Sequence, residues 1–101
     1  MESIGELIRR LREEKGEPLR KVAAHLDVDQ AILSKIERGL RKATKKQVEK
    51  LSFYFGFDKK QMLLTYLSDR ILHEVQGEKL AKEALKIAEA KINYSLKYRK
   101  E

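Results

Sequence analysis

The sequence has no cysteine and no tryptophan, and only one proline and five glycines in 101 residues. Without cysteine there is no disulfide framework, no thiolate nucleophile and no Cys-ligated zinc. The absence fits a reducing compartment. Two histidines, His25 and His73, lie far apart in the chain, and no metal centre is expected of them. No run of about 18 apolar residues occurs, so no membrane span is expected. The opening MESIGELIRR carries charges and no apolar run, so no secretory signal is expected either. β-branched and aromatic residues never alternate over the length of a strand, which leaves no candidate sheet. There is no glycine-rich phosphate loop, and no nucleophile, base and orienting group form a set. The reading is therefore a non-enzyme without a cofactor.

What is present is enough for one small core. Hydrophobic residues make up 42% and charged residues 39%. A chain of this size buries roughly two-thirds of its unfolded surface. Lys plus Arg outnumber Asp plus Glu by 23 to 16, a net charge of +7, which favours an anionic partner. Gly16, Gly39, Gly56 and Gly77 each follow a segment with helical spacing of apolar residues, where a left-handed C-cap belongs. The chain is thus expected to be all-α.

Helices are predicted over Ser3–Lys15, Pro18–Leu26, the stretch after Asp29 to Arg38, Lys45–Phe55, Lys59–Gln76 and Glu78–Arg99. Asp29 has the character of an N-cap. Thr44 followed by Gln47 reads as a capping box, and Asp58 with Gln61 repeats that logic. The MLLTYL core of the fifth helix is apolar nearly all round and is expected to be buried on several sides. Between Ser34 and Lys50 the charge is concentrated. Lys35, Arg38, Arg41, Lys42, Lys45, Lys46 and Lys50 face only Glu37 and Glu49 there, a net +5. Two short helices joined by a tight turn, just ahead of this cluster, match the geometry of a DNA-reading helix-turn-helix.

The stretch VAAHLDVDQAILSKIERG resembles the helix-turn-helix of the Cro and phage-repressor (XRE) family. In that family a Leu-Ala pair in the second helix precedes a Leu-Gly-Val turn, and the third helix ends Ile-Ser-Arg-Ile-Glu-Arg-Gly. Here the pair is Val22-Ala23, the turn is Leu26-Asp27-Val28, and the end is Leu33-Ser34-Lys35-Ile36-Glu37-Arg38-Gly39. The resemblance spans about Ile4 to Leu64 and leaves the last third uncovered. It implies a five-helix DNA-binding domain, here with an extra C-terminal helix. It also implies a cytoplasmic, nucleoid-associated bacterial regulator, most simply a dimeric repressor of an operator in double-stranded DNA. By the same similarity, Arg12 and Glu37 form a partly buried ion pair that fixes the reading helix. Two alternatives stay open: an antitoxin or restriction-modification controller acting on its own promoter, and a protein–protein adaptor on this scaffold.

On the third helix the positions not facing the core are Gln30, Ala31, Ser34 and Lys35, the candidate base contacts. Gln suits adenine, Lys suits guanine and Ala suits a thymine methyl. Arg38, Arg41, Lys42 and Lys45 are candidate phosphate contacts, as is Thr44 at a helix N-terminus. The sequence departs from the family at three positions. Leu19 stands where relatives carry a phosphate-binding Gln, and Arg20 is the candidate substitute. Asp27 replaces the turn Gly, and Asp tolerates the left-handed region. Asp29 replaces a Ser or Thr cap and places a negative charge near the DNA.

Domain organisation is read as a helix-turn-helix core over 1–57 and an extension over 58–101. In the last helix Ala81, Leu85, Ala88, Ile92 and Leu96 follow a heptad-like seam. That seam either pairs with a second subunit or folds back as a hairpin. Lys79, Lys82 and Lys86 are interleaved with Glu78, Glu83 and Glu89, which argues against a membrane surface.

Overall fold

The computed structural model describes residues 1–98, so Arg99, the expected end of the last helix, lies outside the described residues. The described residues form six helices: α1 Ile4–Glu14, α2 Leu19–Leu26, α3 Gln30–Glu37, α4 Lys45–Phe55, α5 Lys59–Val75 and α6 Ala81–Tyr98. No strand occurs among them, and the protein is all-α with an additional C-terminal helix.

Local chemistry sets the helix ends. The amide of Gln47 donates to Thr44 Oγ1 at 3.1 Å, and the amide of Thr44 donates to Gln47 Oε1 at 2.9 Å, the reciprocal box expected from sequence. Ser3 and Glu6 build a second such box at the start of α1. Asp29 caps α3 by accepting from the Ile32 amide at 2.9 Å. Asp58 opens α5 by accepting from the Lys60 amide at 2.9 Å. Pro18 is the N-cap of α2 rather than its first residue, because its ψ of 155° is extended. Asp27 ends α2 at φ 59°, the sole non-glycine residue with positive φ among those described. α6 begins three residues later than expected. Gly77 takes φ 85°, and the Ala81 amide closes a turn onto the Glu78 carbonyl before the helix proper starts.

The chain divides into two compact units within α5, between Arg70 and Ile71. In the first unit α1 and α2 both pack on α3, and α4 packs on α1 and α2. Leu7 and Ile8 of α1, Val22 and Ala23 of α2, Leu33 and Ile36 of α3, and Val48 and Leu51 of α4 are buried together. Ala43, in the loop before α4, is buried with them. α5 adds Met62 and Tyr66 to this core. Leu63 is half-buried against it, whereas Leu64 is 49% exposed and Leu67 is 45% exposed. The expectation that MLLTYL is buried on several sides is corrected to burial on one side, since the core reaches only the face carrying Met62, Leu63 and Tyr66. Asp69 ties α5 to the start of α1, accepting from the Ile4 amide at 2.6 Å. A carboxylate at a helix N-terminus answers both the free amide and the positive end of the dipole.

The second unit starts at Ile71 and holds the end of α5 and all of α6. No residue of α6 is buried. Along the seam Ala81 is half-buried, while Leu85, Ala88, Ile92 and Leu96 are exposed.

Candidate nucleic-acid interface

α3 is a two-turn helix with two unlike faces. Leu33, Ile36 and Glu37 are buried, and Ile32 packs against the core from its edge. The other face carries Gln30, Ala31, Ser34, Lys35 and Arg38, successively one and three residues apart, so that they share one side. Ser34 is half-buried and the other four are exposed. The Arg38 Nε donates to the Ser34 carbonyl at 3.4 Å, which lays the guanidinium along the end of the same face.

The position of this face is fixed from behind. Arg12 of α1 grips Glu37 with two parallel bonds, Nε to Oε2 at 2.8 Å and Nη2 to Oε1 at 3.0 Å. The Glu37 side chain is 4% exposed and that of Arg12 13%. The bonds from Glu37 hold Arg12 above its ordinary pKa, against the opposing effect of its own burial. The third donor of Arg12, Nη1, bonds the Glu17 carbonyl at 2.9 Å. Glu17 in turn accepts the Tyr54 hydroxyl of α4 at 2.6 Å. That bond, helped by the charge of nearby Lys21, draws the Glu17 carboxyl below the usual carboxylate range; the same bond to Glu17 pushes the Tyr54 phenol up. His25 of α2 stacks on Tyr54 with ring centroids 4.3 Å apart. The end of α3 is thus linked through Arg12 and Glu17 to α4 by charge-assisted and backbone bonds.

Arg20 stands at the start of α2, Arg41 and Lys42 in the loop after α3, and Thr44 and Lys45 at the start of α4. All five are exposed. None of Arg20, Lys35, Arg38, Arg41, Lys42 and Lys45 takes part in an ion pair among the described residues. On α1, by contrast, Arg9 is paired with Glu13, and Arg10 with Glu2 and Glu14. Cations left without acidic neighbours keep their full attraction for an external polyanion. The capping box uses the amides of Thr44 and Gln47, which leaves those of Lys45 and Lys46 for an anion at the start of α4. The Thr44 hydroxyl accepts from Gln47 and retains its own proton to donate. The Asp29 carboxylate is engaged in its cap, which partly satisfies its charge within the protein.

Sequence reasoning missed several contributors. Gly5 lets α1 approach the end of α3, since a Cβ there would lie 2.7 Å from the Glu37 carbonyl oxygen and closer still to that of Ile36. Glu17, Tyr54 and Asp69 were also missed, because their partners are 37 and 65 residues away. Gly5 alone left a local signal, as a glycine inside a helical pattern.

A two-helix unit with a capped second helix, one buried face, one polar face and unpaired cations following it in the chain has the form of a helix-turn-helix of the DNA-binding class. The family model of the helix-turn-helix domain matches residues 3–63, and the chain belongs to that family. No curated protein and no solved structure matches the chain. Among the described residues no helix is long and apolar enough to cross a membrane.

Proposed function

We propose that the protein is a sequence-specific regulator of the Cro and phage-repressor type that reads double-stranded DNA as a homodimer. The observation that carries this reading is the outer face of α3, with Gln30, Ala31, Ser34 and Lys35 presented together and exposed, unpaired cations in the segment that follows it. Gln30 offers an amide donor and acceptor suited to the adenine edge, and Lys35 a donor suited to guanine O6 and N7. Ala31 is small enough to meet a thymine methyl, and Ser34 serves either a base or a phosphate. Arg20, Arg38, Arg41, Lys42, Thr44 and Lys45 hold phosphates and set the register. The Arg12–Glu37 pair keeps α3 at a fixed angle while this happens. One α3 covers only a short half-site, and two copies related by a two-fold axis reach successive major grooves about 34 Å apart. Occupancy of a promoter in this way excludes polymerase, so repression is the simplest output.

Selection of bound duplexes from a random pool tests the reading. The expected result is a two-fold symmetric consensus whose half-sites carry both adenine and guanine. Recovery of duplexes without any shared sequence would remove the sequence-specific role. Failure to retain any duplex at low salt would favour an adaptor on the same scaffold.

A further inference from the structure

We infer that the depression between α2 and α4, walled by His25 and Phe53, is a docking site for an acidic segment of a partner protein that carries one aromatic or large aliphatic anchor. The inference goes beyond the DNA-reading role and does not depend on it. α4 ends in three consecutive aromatic residues with three different fates. Phe55 is buried in the core. Tyr54 is half-buried and bridges α4 to Glu17. Phe53 is 87% exposed, more than any other large hydrophobic residue among those described except Met1. Nothing in the folding of α4 asks for it. The buried face of the helix is Val48, Leu51, Ser52 and Phe55. Phenylalanine is also a weaker helix former than the residues that suit an outward position.

Phe53 does not stand alone. Lys46, Glu49 and Lys50 precede it by seven, four and three residues, the spacing that puts all four on one side of α4. With His25 of α2 they line a depression of about 390 Å³. The α2 wall is held in place. The His25 ring lies on Tyr54 with centroids 4.3 Å apart, and the Tyr54 hydroxyl donates to Glu17 at 2.6 Å. Tyr54 meets the buried Phe55 ring edge-on at 5.3 Å. A wall fixed in this way does not have to be ordered when something binds, and such ordering is one of the main costs of association.

Charge and chemistry select the occupant. Lys46 and Lys50 take part in no ion pair among the described residues. Glu49 is answered by Lys59, whose Nζ lies 3.6 Å from its Oε2. The depression therefore combines an exposed aromatic ring with two free cations. That combination suits an apolar side chain flanked by carboxylates, the anchor filling the depression and the charges setting its orientation.

Other occupants fit less well. Duplex DNA presents phosphates and has no apolar group for Phe53, and no residue of α3 lines the depression. Single strands are held by aromatic rings along a continuous basic groove. Here one free ring is present, and Glu49 stands among the lysines. A peptide backbone has N–H groups to offer that carboxylate, whereas a phosphodiester chain has none. A second copy meeting the same face across a two-fold axis brings the two lysines against themselves. The depression is small, which places the contact in the transient class of interfaces below about 1,200 Å².

Random peptides of about a dozen residues, displayed and selected on the intact protein without DNA, provide the probe. The expected enriched peptides share acidic residues around a single aromatic or large aliphatic one. A synthetic peptide of that consensus is then titrated by fluorescence anisotropy. Phe53→Ser and Lys50→Glu are each expected to weaken it by roughly 10-fold or more. Amide shifts on binding are expected to centre on His25, Lys50 and Phe53. Both substitutions are at exposed positions and are expected to keep the wild-type thermal midpoint. Lys50→Glu reads the site through charge and Phe53→Ser through the ring, so the two do not share a failure of folding. Failure to enrich any peptide, or enrichment without the acidic and apolar pattern, overturns the inference. So does a consensus peptide that binds Phe53→Ser as tightly as the wild type. Oligo(dT) titrated in parallel tests the other polyanion. If Phe53→Ser abolishes its binding and leaves that of the peptide intact, the site takes single strands and the peptide reading fails. A change of oligomeric state in Phe53→Ser, read by sedimentation, assigns the face to a second copy and overturns the inference equally.

Discussion

Gly5 is the residue on which the docking of α1 depends most directly. Helix propensity alone favours alanine there by about 1 kcal/mol. The space does not allow it, because the atoms a Cβ would meet are the backbone carbonyls of Ile36 and Glu37, and they cannot rotate away. Overpacking of this kind costs about 1–3 kcal/mol, so Gly5→Ala is expected to lower stability despite its better propensity. Thermal unfolding with an unchanged or raised midpoint would refute that account. The Arg12–Glu37 pair calls for a different logic. Arg12→Met leaves a carboxylate buried without its partner, an error worth about 3–5 kcal/mol. Adding Glu37→Leu removes the orphaned charge and is expected to restore most of the loss in denaturant titrations. If the double variant is no more stable than Arg12→Met, the cost lies in packing rather than in charge. At the rim of this network Tyr54→Phe is expected to let the Glu17 carboxyl rise toward the ordinary value of about 4.3. Because its folded pKa is depressed, Glu17 contributes stability that is complete above that value and fades as pH falls below it. An NMR titration of Glu17 that does not move in the variant would assign the depression to Lys21 instead.

The elements of the site divide the work of recognition, and substitutions separate the parts. Gln30→Ala and Lys35→Ala each are expected to cost about 1–3 kcal/mol on the selected site and to relax preference at one base position. Lys42→Ala is expected to weaken all duplexes alike and to reduce the salt slope by about one unit. Equal losses on selected and random DNA for Gln30→Ala would remove it from the base-reading face. These elements were legible in the sequence to the extent that their causes are local. Asp29, Thr44 with Gln47, Gly56 and the left-handed Asp27 each act within a few residues, so spacing exposes them. The face of α3 was legible because its buried positions, Leu33 and Ile36, leave a complementary set. The burial of Ala43 and the bond from the Ile4 amide to Asp69 leave no periodic trace, because both depend on what the folded chain brings near. The MLLTYL segment of α5 was misjudged for a related reason. An apolar run shows that a helix can be covered, but not which of its sides the folded core reaches.

At the scale of the whole molecule the charge and the apolar surface are segregated along the chain. The segment from Ser34 to Lys50 supplies +5 of the total +7, while the segment from Ile71 to Tyr98 is nearly neutral and rich in exposed apolar side chains. The basic part suits a polyanion. In the proposed homodimer the two reading helices are coupled, because joining two weak half-site contacts turns the second into an intramolecular event. The coupling depends on both α3 helices meeting the same side of the duplex. An insertion of about 5 bp between the half-sites rotates one of them by half a turn and moves it out of reach. Affinity is then expected to fall roughly 10²- to 10⁴-fold, to the level of an isolated half-site. Gel-shift titration of the original, the expanded and the single half-site duplexes measures this directly. If the expanded duplex binds as tightly as the original, the two copies act independently on DNA.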